Sequence, residues 1–373
     1  LLTIQPGIPA YEATSLKYRR DGVPIVGVNL AEPVIVAVAE EPLGWGYFNF
    51  PNINKSITDN TLVCSWSMAE DAASSYGKGG GDKRLSFDGG KTWVIDNRPV
   101  RAGGLLLSGG EVISVNTPVA LDTNEVEMPP RVALIRDGST YNRNFSLYRH
   151  DELPEELQGV YINYWDKSGI YSKQHAVLED DKQLLRYADG GLFPIVWWGD
   201  MKIIEDGSIL TLPYPTFYEN EDGTVDPSGV TLYRSVNQGM NWTSRGRIPY
   251  VFDEKWDPNG GKRKTLGWTE PTFEILSDGT YLAVLRTTDG NGDSPMYISR
   301  SRDKGFTWST PEAFTPSGVL PKLLQLENGV LVLASGRPGI QLRFSFDGKG
   351  EEWTDPFELI AYNRGENSHL ATC

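Results

Sequence analysis

Glu270, in Gly267-Trp-Thr-Glu270-Pro, opens one apolar strand, and Arg286, in Leu285-Arg286-Thr-Thr-Asp289, ends the next. Antiparallel pairing of such a hairpin sets those two ends side by side at one rim. A carboxylate and a guanidinium held in this way form either a rim salt bridge or the charged part of a binding site. Arg337, in Ser335-Gly336-Arg337-Pro-Gly339, stands at the matching end of the next hairpin, with Arg343 on the following strand as its competitor. Asp71 lies in the loop after a further strand, Leu62 to Trp66, with Glu70 as its rival and a solvated acidic pair as the plain alternative. Trp197, Trp198 and Asp200 open another strand. Adjacent side chains on a strand face opposite sides. One Trp is then expected to face the core and the other to line a site as an aromatic platform, with Asp200 nearby to hold polar groups. His150 and His175 are isolated and read as ordinary surface or core residues.

These residues need a scaffold that brings hairpin ends together, and the sequence repeats one hairpin template. It reads Met201–Leu212 (MKIIEDGSILTL), Phe273–Val284 (FEILSDGTYLAV) and Lys322–Leu333 (KLLQLENGVLVL), with weaker copies over 105–115 and 53–66. Asp-Gly and Asn-Gly supply the positive φ angles that two-residue hairpin turns require. A second element follows most copies: Ser86-Phe-Asp88-Gly-Gly90-Lys-Thr-Trp93, Ser235-Val-Asn237-Gln-Gly239-Met-Asn-Trp242, Ser301-Arg-Asp303-Lys-Gly305-Phe-Thr-Trp308, and Ser345 to Trp353 with one extra residue. The Asp or Asn side chain accepts backbone N–H bonds inside the turn, Gly takes the left-handed position and Trp packs between sheets. The boxes are structural, and no chemistry is assigned to Asp88 or Asp303. Hairpin plus boxed hairpin makes a four-stranded blade. Such units run over 47–97, 103–165, 190–248, 268–314 and 319–360, and the acidic run Glu179-Asp180-Asp181 is expected to be a solvated loop.

Composition agrees with a β architecture: 11 Trp, 17 Tyr and 13 Phe suit pleated, half-buried surfaces, and 40 Gly with 24 Pro imply many turns. A formal net charge of −14 argues against nucleic acid or an anionic membrane as partner. No apolar run is long enough for a membrane span, and Leu1 to Pro9 shows neither a basic start nor a cleavage pattern. The two cysteines, Cys64 in an apolar run and Cys373 at the end, give no disulfide framework and no zinc spacing.

The boxed turns resemble the Asp boxes, or bacterial neuraminidase repeats, of the sialidase superfamily, and the likeness covers about residues 45–360. It implies a six-bladed β-propeller in one domain. Residues 1–44 would contribute to the closing blade and 361–373 would begin a further one, so more residues are expected beyond Cys373. The likeness implies a sialidase-like exo-glycoside hydrolase that removes a terminal acidic sugar from a glycan without metal or other cofactor. Arg286 and Arg337 would clamp a carboxylate, Glu270 would act as base or partner of the nucleophile, and Asp71 as acid/base. Family habit places such enzymes outside the cell or in the periplasm.

One departure matters. Sialidases begin their first blade with Arg-Ile-Pro, whereas this sequence has Asn49-Phe50-Pro51. Asn49 can hydrogen-bond a carboxylate or hydroxyl but brings no charge. Losing one charge-assisted contact costs roughly 1.5–3 kcal/mol, which weighs against sialic acid itself. The family's Tyr nucleophile opens the last blade and has no counterpart in the readable units; Tyr47 lies at the corresponding rim by strand position. A glycan-binding propeller without turnover, or a propeller lyase or rhamnosidase acting on uronate-containing polysaccharide, are the alternatives.

Overall fold

Asp-Gly, Asn-Gly, Gly-Gly and, at 59–60, Asp-Asn turns join the paired runs, and all five template copies form antiparallel pairs. The computed structural model describes residues 15–20, 23–29, 34–38, 49–136, 143–180, 182–258, 260–261, 266–288, 294–337 and 339–360. Among these the regular structure is strand, apart from three 3-10 turns of three residues each. The chain divides into a smaller unit, Leu1–Asp71 with Gly79–Gly103, and a larger one, Ala72–Lys78 with Gly104–Cys373.

In the smaller unit, strands Asn49–Lys55, Leu62–Ser67 and Gly81–Ser86 form a three-stranded antiparallel sheet. Strands Ser15–Arg20 and Val23–Asn29 pair with each other. The run 34–38, within the segment expected to contribute to the closing blade, is not assigned to a strand. Cys64 is buried in this unit, and burial pushes its thiol up from the usual range.

The larger unit is a propeller-like succession of antiparallel sheets. Strands Gly267–Ile275, Tyr281–Thr288, Met296–Ser301 and Glu312–Thr315 form one four-stranded sheet, and Val319–Gln325, Leu331–Gly336, Ile340–Ser345 and Phe357–Ile360 form the next. Period-two alternation explains their packing. From strand Tyr281–Thr288, Tyr281, Ala283 and Leu285 join one core with Leu210, Leu232 and Trp268, whereas Leu282 and Val284 join another with Leu323, Leu331 and Leu333.

The described strands do not resolve into six sheets of four. Strand Asn241–Ile248 pairs in parallel with Tyr171–Glu179, through Val177 opposite Asn241 and Glu179 opposite Thr243. That junction merges two four-stranded meanders into an eight-stranded sheet. The unit expected over 103–165 therefore takes its outer strand from Tyr171–Glu179, and the sequence inserted within it contributes to a separate six-stranded sheet. The acidic run is not merely solvated: Asp180 accepts the hydroxyls of Tyr218 at 2.8 Å and Tyr233 at 2.5 Å. Asp181 and residues 361–373 lie outside the described residues. No described helix is long and apolar enough to cross a membrane.

The boxed turns share one hydrogen-bond pattern. The Ser hydroxyl accepts the Gly N–H in each: Gly90 to Ser86 at 2.8 Å, Gly239 to Ser235 at 2.9 Å, Gly305 to Ser301 at 2.8 Å and Gly350 to Ser345 at 3.2 Å. Asp88 and Asp303 accept the N–H and hydroxyl of Thr92 and Thr307. Those bonds favour the ionised form and draw both carboxyls down to about 2.

Candidate functional site

Glu270 reaches its position through a β-bulge. Along the hairpin, Thr269 faces Arg286 and Thr272 faces Val284, so one extra residue is accommodated at Glu270-Pro271. Glu270 has φ +47°, an uncommon value for a side-chain-bearing residue. Its Oε1 accepts Arg286 Nη1 at 2.5 Å, and its Oε2 accepts the main-chain N–H of Leu320 in the next sheet at 2.8 Å. The pair is mostly buried, with side-chain exposures of 10% for Arg286 and 17% for Glu270. Thr269 and Thr288 share a short hydroxyl–hydroxyl hydrogen bond beside it.

Tyr214 belongs to this neighbourhood and was not singled out from the sequence. It follows strand Ile209–Thr211, and its N–H donates to Trp198 O at 2.9 Å. Burial, then the negative charge of Glu270, push its phenol well above the usual tyrosine value, while Arg286 opposes the rise. Tyr187 and Tyr76 add smaller upward pushes, and Tyr187 is itself raised, chiefly by burial. Tyr214 is therefore a neutral phenol in the field of an ion pair. Its position just past the second strand of a hairpin is the signal that would have found it.

Of the two tryptophans, Trp197 is core, packing edge-on against Trp242 at 4.8 Å between ring centroids. Trp198 is half-buried, 5.2 Å from Tyr76 in a T-shaped contact and 5.6 Å from Tyr214. It supports Tyr214 through both ring and backbone. Asp200 accepts Thr272 Oγ1 at 2.8 Å and pairs with Lys322 Nζ at 2.7 Å. Both of its oxygens thus tie strands of successive sheets together.

Arg337 lies in the bend after strand Leu331–Gly336, half-buried, with φ +47°. Gly336, not Arg337, holds the register position that Arg286 holds in the preceding sheet, since Gly336 faces Val319 as Arg286 faces Thr269. Arg337 makes no side-chain hydrogen bond or ion pair among the described residues. Arg343, its competitor, sits mid-strand opposite Leu333 and donates to Thr354 O at 3.3 Å.

In the smaller unit, Asn49 Nδ2 donates to Ala69 O at 3.0 Å, within the loop that carries the exposed Glu70 and Asp71. Phe50-Pro51 forms the same bulge as Glu270-Pro271, with φ +54° at Phe50. Tyr47 and Asp289 lie outside the described residues. His150 Nε2 accepts the Gly159 N–H at 2.8 Å, and His175 stacks on Tyr161 with ring centroids 4.4 Å apart. No group of three or more His, Cys, Asp or Glu able to hold a metal ion occurs among the described residues.

No protein-family model and no curated protein matches the sequence. Among solved structures, the chain is similar to a protein of unknown function from Dyadobacter fermentans DSM 18053, with 18% identity and a TM-score of 0.52 over 85% of this chain and 84% of that one. It also aligns with a Hadza microbial sialidase, at 15% identity and TM-score 0.45 over 94% and 67% of the two chains. An alpha-L-arabinanase from Penicillium chrysogenum, in complex with arabinobiose, aligns at 15% identity and TM-score 0.42 over 85% and 82%. The first of these likenesses shows a shared fold, and at 18% identity it leaves the chemistry to be argued from the residues themselves.

Proposed function

We propose that the chain is a carbohydrate-active enzyme, a sialidase-like exo-glycoside hydrolase on a six-bladed propeller scaffold, which removes a terminal acidic sugar from glycans. One observation carries this reading: the mostly buried Glu270–Arg286 pair, at 2.5 Å, held at the end of one hairpin. A phenol attacks an anomeric carbon only when a base takes its proton, and a carboxylate is the group for that task. In the proposed step, Tyr214 Oη bonds to the anomeric carbon as its proton passes to Glu270. The glycosidic bond breaks, and the departing oxygen takes a proton from an acid. Water then reverses the sequence and frees the sugar. Neutral Tyr suits an acidic sugar, because a carboxylate nucleophile would be repelled by the substrate's own charge. Arg337 supplies the cation for that charge, Arg286 being engaged with Glu270. Asp71 as acid/base and Asn49 as a contact to a polar substituent remain separate proposals, each tested by its own alanine variant.

The test is hydrolysis of aryl sialosides, uronides and rhamnosides by wild type and by Glu270→Gln. Glu270→Gln should fold normally and lose most turnover; retained activity would remove Glu270 from the mechanism. A glycan-binding protein without turnover is favoured by the engagement of both Glu270 oxygens, and it would bind glycans in calorimetry while releasing no product. A lyase would reveal itself by an unsaturated uronate with ultraviolet absorbance.

A further inference from the structure

The Glu270 carboxylate is held across two sheets, and the second hold comes from a main-chain group that a regular strand would not offer. Strand Val319–Gln325 carries its own bulge: Val319 faces Gly336 and Lys322 faces Ala334, so Leu320 and Pro321 have no rung on the partner strand. Proline has no N–H. Of the two unpaired residues only Leu320 has a donor to give, and that N–H goes to Glu270 Oε2 at 2.8 Å. Leu320 has φ +46°, almost the value of Glu270, and each precedes a proline.

The bond is one of three between neighbouring strands of the two sheets. Thr272 Oγ1 accepts the Leu323 N–H at 3.2 Å and Glu274 Oε2 accepts the Gln325 N–H at 3.3 Å. Side-chain acceptors at alternate positions 270, 272 and 274 thus replace backbone pairing between these strands. The Leu320 rung is the shortest, and it ends on the carboxylate that Arg286 already holds from its own sheet. Two donors on the two oxygens fix both the rotation and the tilt of the carboxylate plane.

We propose that Leu320 is a positioning residue: its main-chain N–H, released by the Leu320-Pro321 bulge, orients the Glu270 carboxylate for its reaction. The proposal rests on the reading of Glu270 as the reacting carboxylate. Catalytic groups must sit within a fraction of an ångström of productive geometry, and a bond to a charged acceptor is among the stronger means of holding one.

Replacing Leu320 by leucic acid through nonsense suppression exchanges its N–H for an ester oxygen while keeping the side chain. On whichever aryl glycoside of the panel the wild type cleaves, kcat should fall about 10- to 100-fold with KM within about twofold. A second arm needs no turnover. In protein labelled with 15N-leucine, the amide peak missing from the leucic-acid protein is Leu320, and Glu270→Gln should move it upfield and hasten its exchange with water. An unchanged kcat in the ester protein, or an amide peak indifferent to Glu270→Gln, overturns the proposal. If wild type cleaves nothing in the panel, the hydrolase reading fails while the amide readout still decides the clamp.

Discussion

Trp198 and Tyr214 are joined twice, by a main-chain hydrogen bond of 2.9 Å from Tyr214 N–H to Trp198 O and by rings whose centroids lie 5.6 Å apart. The indole also takes a T-shaped contact from Tyr76, so its surface is occupied on two sides. A ring already packed in this way is a support for Tyr214 more than an open platform for sugar. Trp198→Ala should therefore lower kcat at least tenfold with little change in KM, and destabilise the fold by about 2 kcal/mol, as expected for truncating a half-buried aromatic. Trp198→Phe should recover most of both. A rise confined to KM would restore the platform reading. The paired measurement is steady-state kinetics with urea unfolding.

Much of this scaffold was legible because its information is local. The turns at Asp206-Gly207, Asp278-Gly279 and Asn328-Gly329 announce hairpins from two residues each, and alternation on their strands assigns faces. The adjacency of Glu270 and Arg286 followed from the same hairpin logic. What escaped depends on partners far along the chain. Nothing near Val177 announces its parallel neighbour Asn241, and nothing near Leu320 shows that its N–H will meet a carboxylate fifty positions earlier. The bulges did leave a trace, since Pro51, Pro271 and Pro321 each interrupt a strand, where proline marks an edge or a bulge. The partners of Asp200 were hidden for the same reason, since Thr272 and Lys322, far along the chain, engage its two oxygens.

Asp200→Ala should accordingly act on stability first. It strips one acceptor from Thr272 and leaves Lys322 without its ion partner. The Lys322 side chain is 58% exposed, so the ion pair itself contributes little, and the hydrogen bond sets the scale. A loss of about 1 kcal/mol in denaturant unfolding, with KM for a cleaved glycoside unchanged, is the expected outcome. A large KM effect with unaltered stability would return Asp200 to substrate binding.

Gly246 tests the contact between neighbouring sheets. A Cβ at this position would overlap Gly305 O and lie 2.6 Å from Phe306 O, both backbone atoms. Backbone cannot yield as a side-chain tip can. Gly246→Ala is therefore expected to destabilise by about 2–3 kcal/mol, the usual scale of overpacking, and to appear as a lower urea midpoint with unchanged m-value. Wild-type stability in this variant would mean that the two backbones stand further apart than the structure has them.

His150 sets a pH window. Burial, reinforced by the Arg186 charge and opposed by Asp151, lowers its imidazole from 6.5 to about 4. With the folded value below the unfolded one, the unfolded chain binds the extra proton first as pH falls. Stability from this group is complete above about pH 6.5 and is lost progressively down to about pH 4, by at most about 1.4 kcal/mol per pH unit. The boxed aspartates act lower, between 3.8 and about 2, so the two effects are separable. His150→Gln should flatten the stability profile between pH 6.5 and 4 and leave the steeper acid limb intact. An unaltered slope in that window would show that His150 already carries a proton in the folded protein.

Arg286 and Arg337 carry the same side chain in different electrostatic states, and that difference predicts different variants. Arg286 is 8% exposed and paired with Glu270, so Arg286→Ala leaves a mostly buried carboxylate without its cation. Removing one partner of such a pair costs about 3–5 kcal/mol, and loss of activity there would say little about substrate. Arg337 has no side-chain ion pair among the described residues, so Arg337→Ala should leave unfolding within about 0.5 kcal/mol of wild type. If Arg337 receives the carboxylate of an acidic sugar, the variant loses a charge-assisted bond of about 1.5–3 kcal/mol, seen as a KM higher by about 10- to 150-fold. Arg337→Lys keeps the charge without the fork and should fall between. The discriminating control is a neutral glycoside of the same linkage, whose KM should not respond. Equal losses on the acidic and neutral substrates would show that Arg337 shapes the rim and reads no charge.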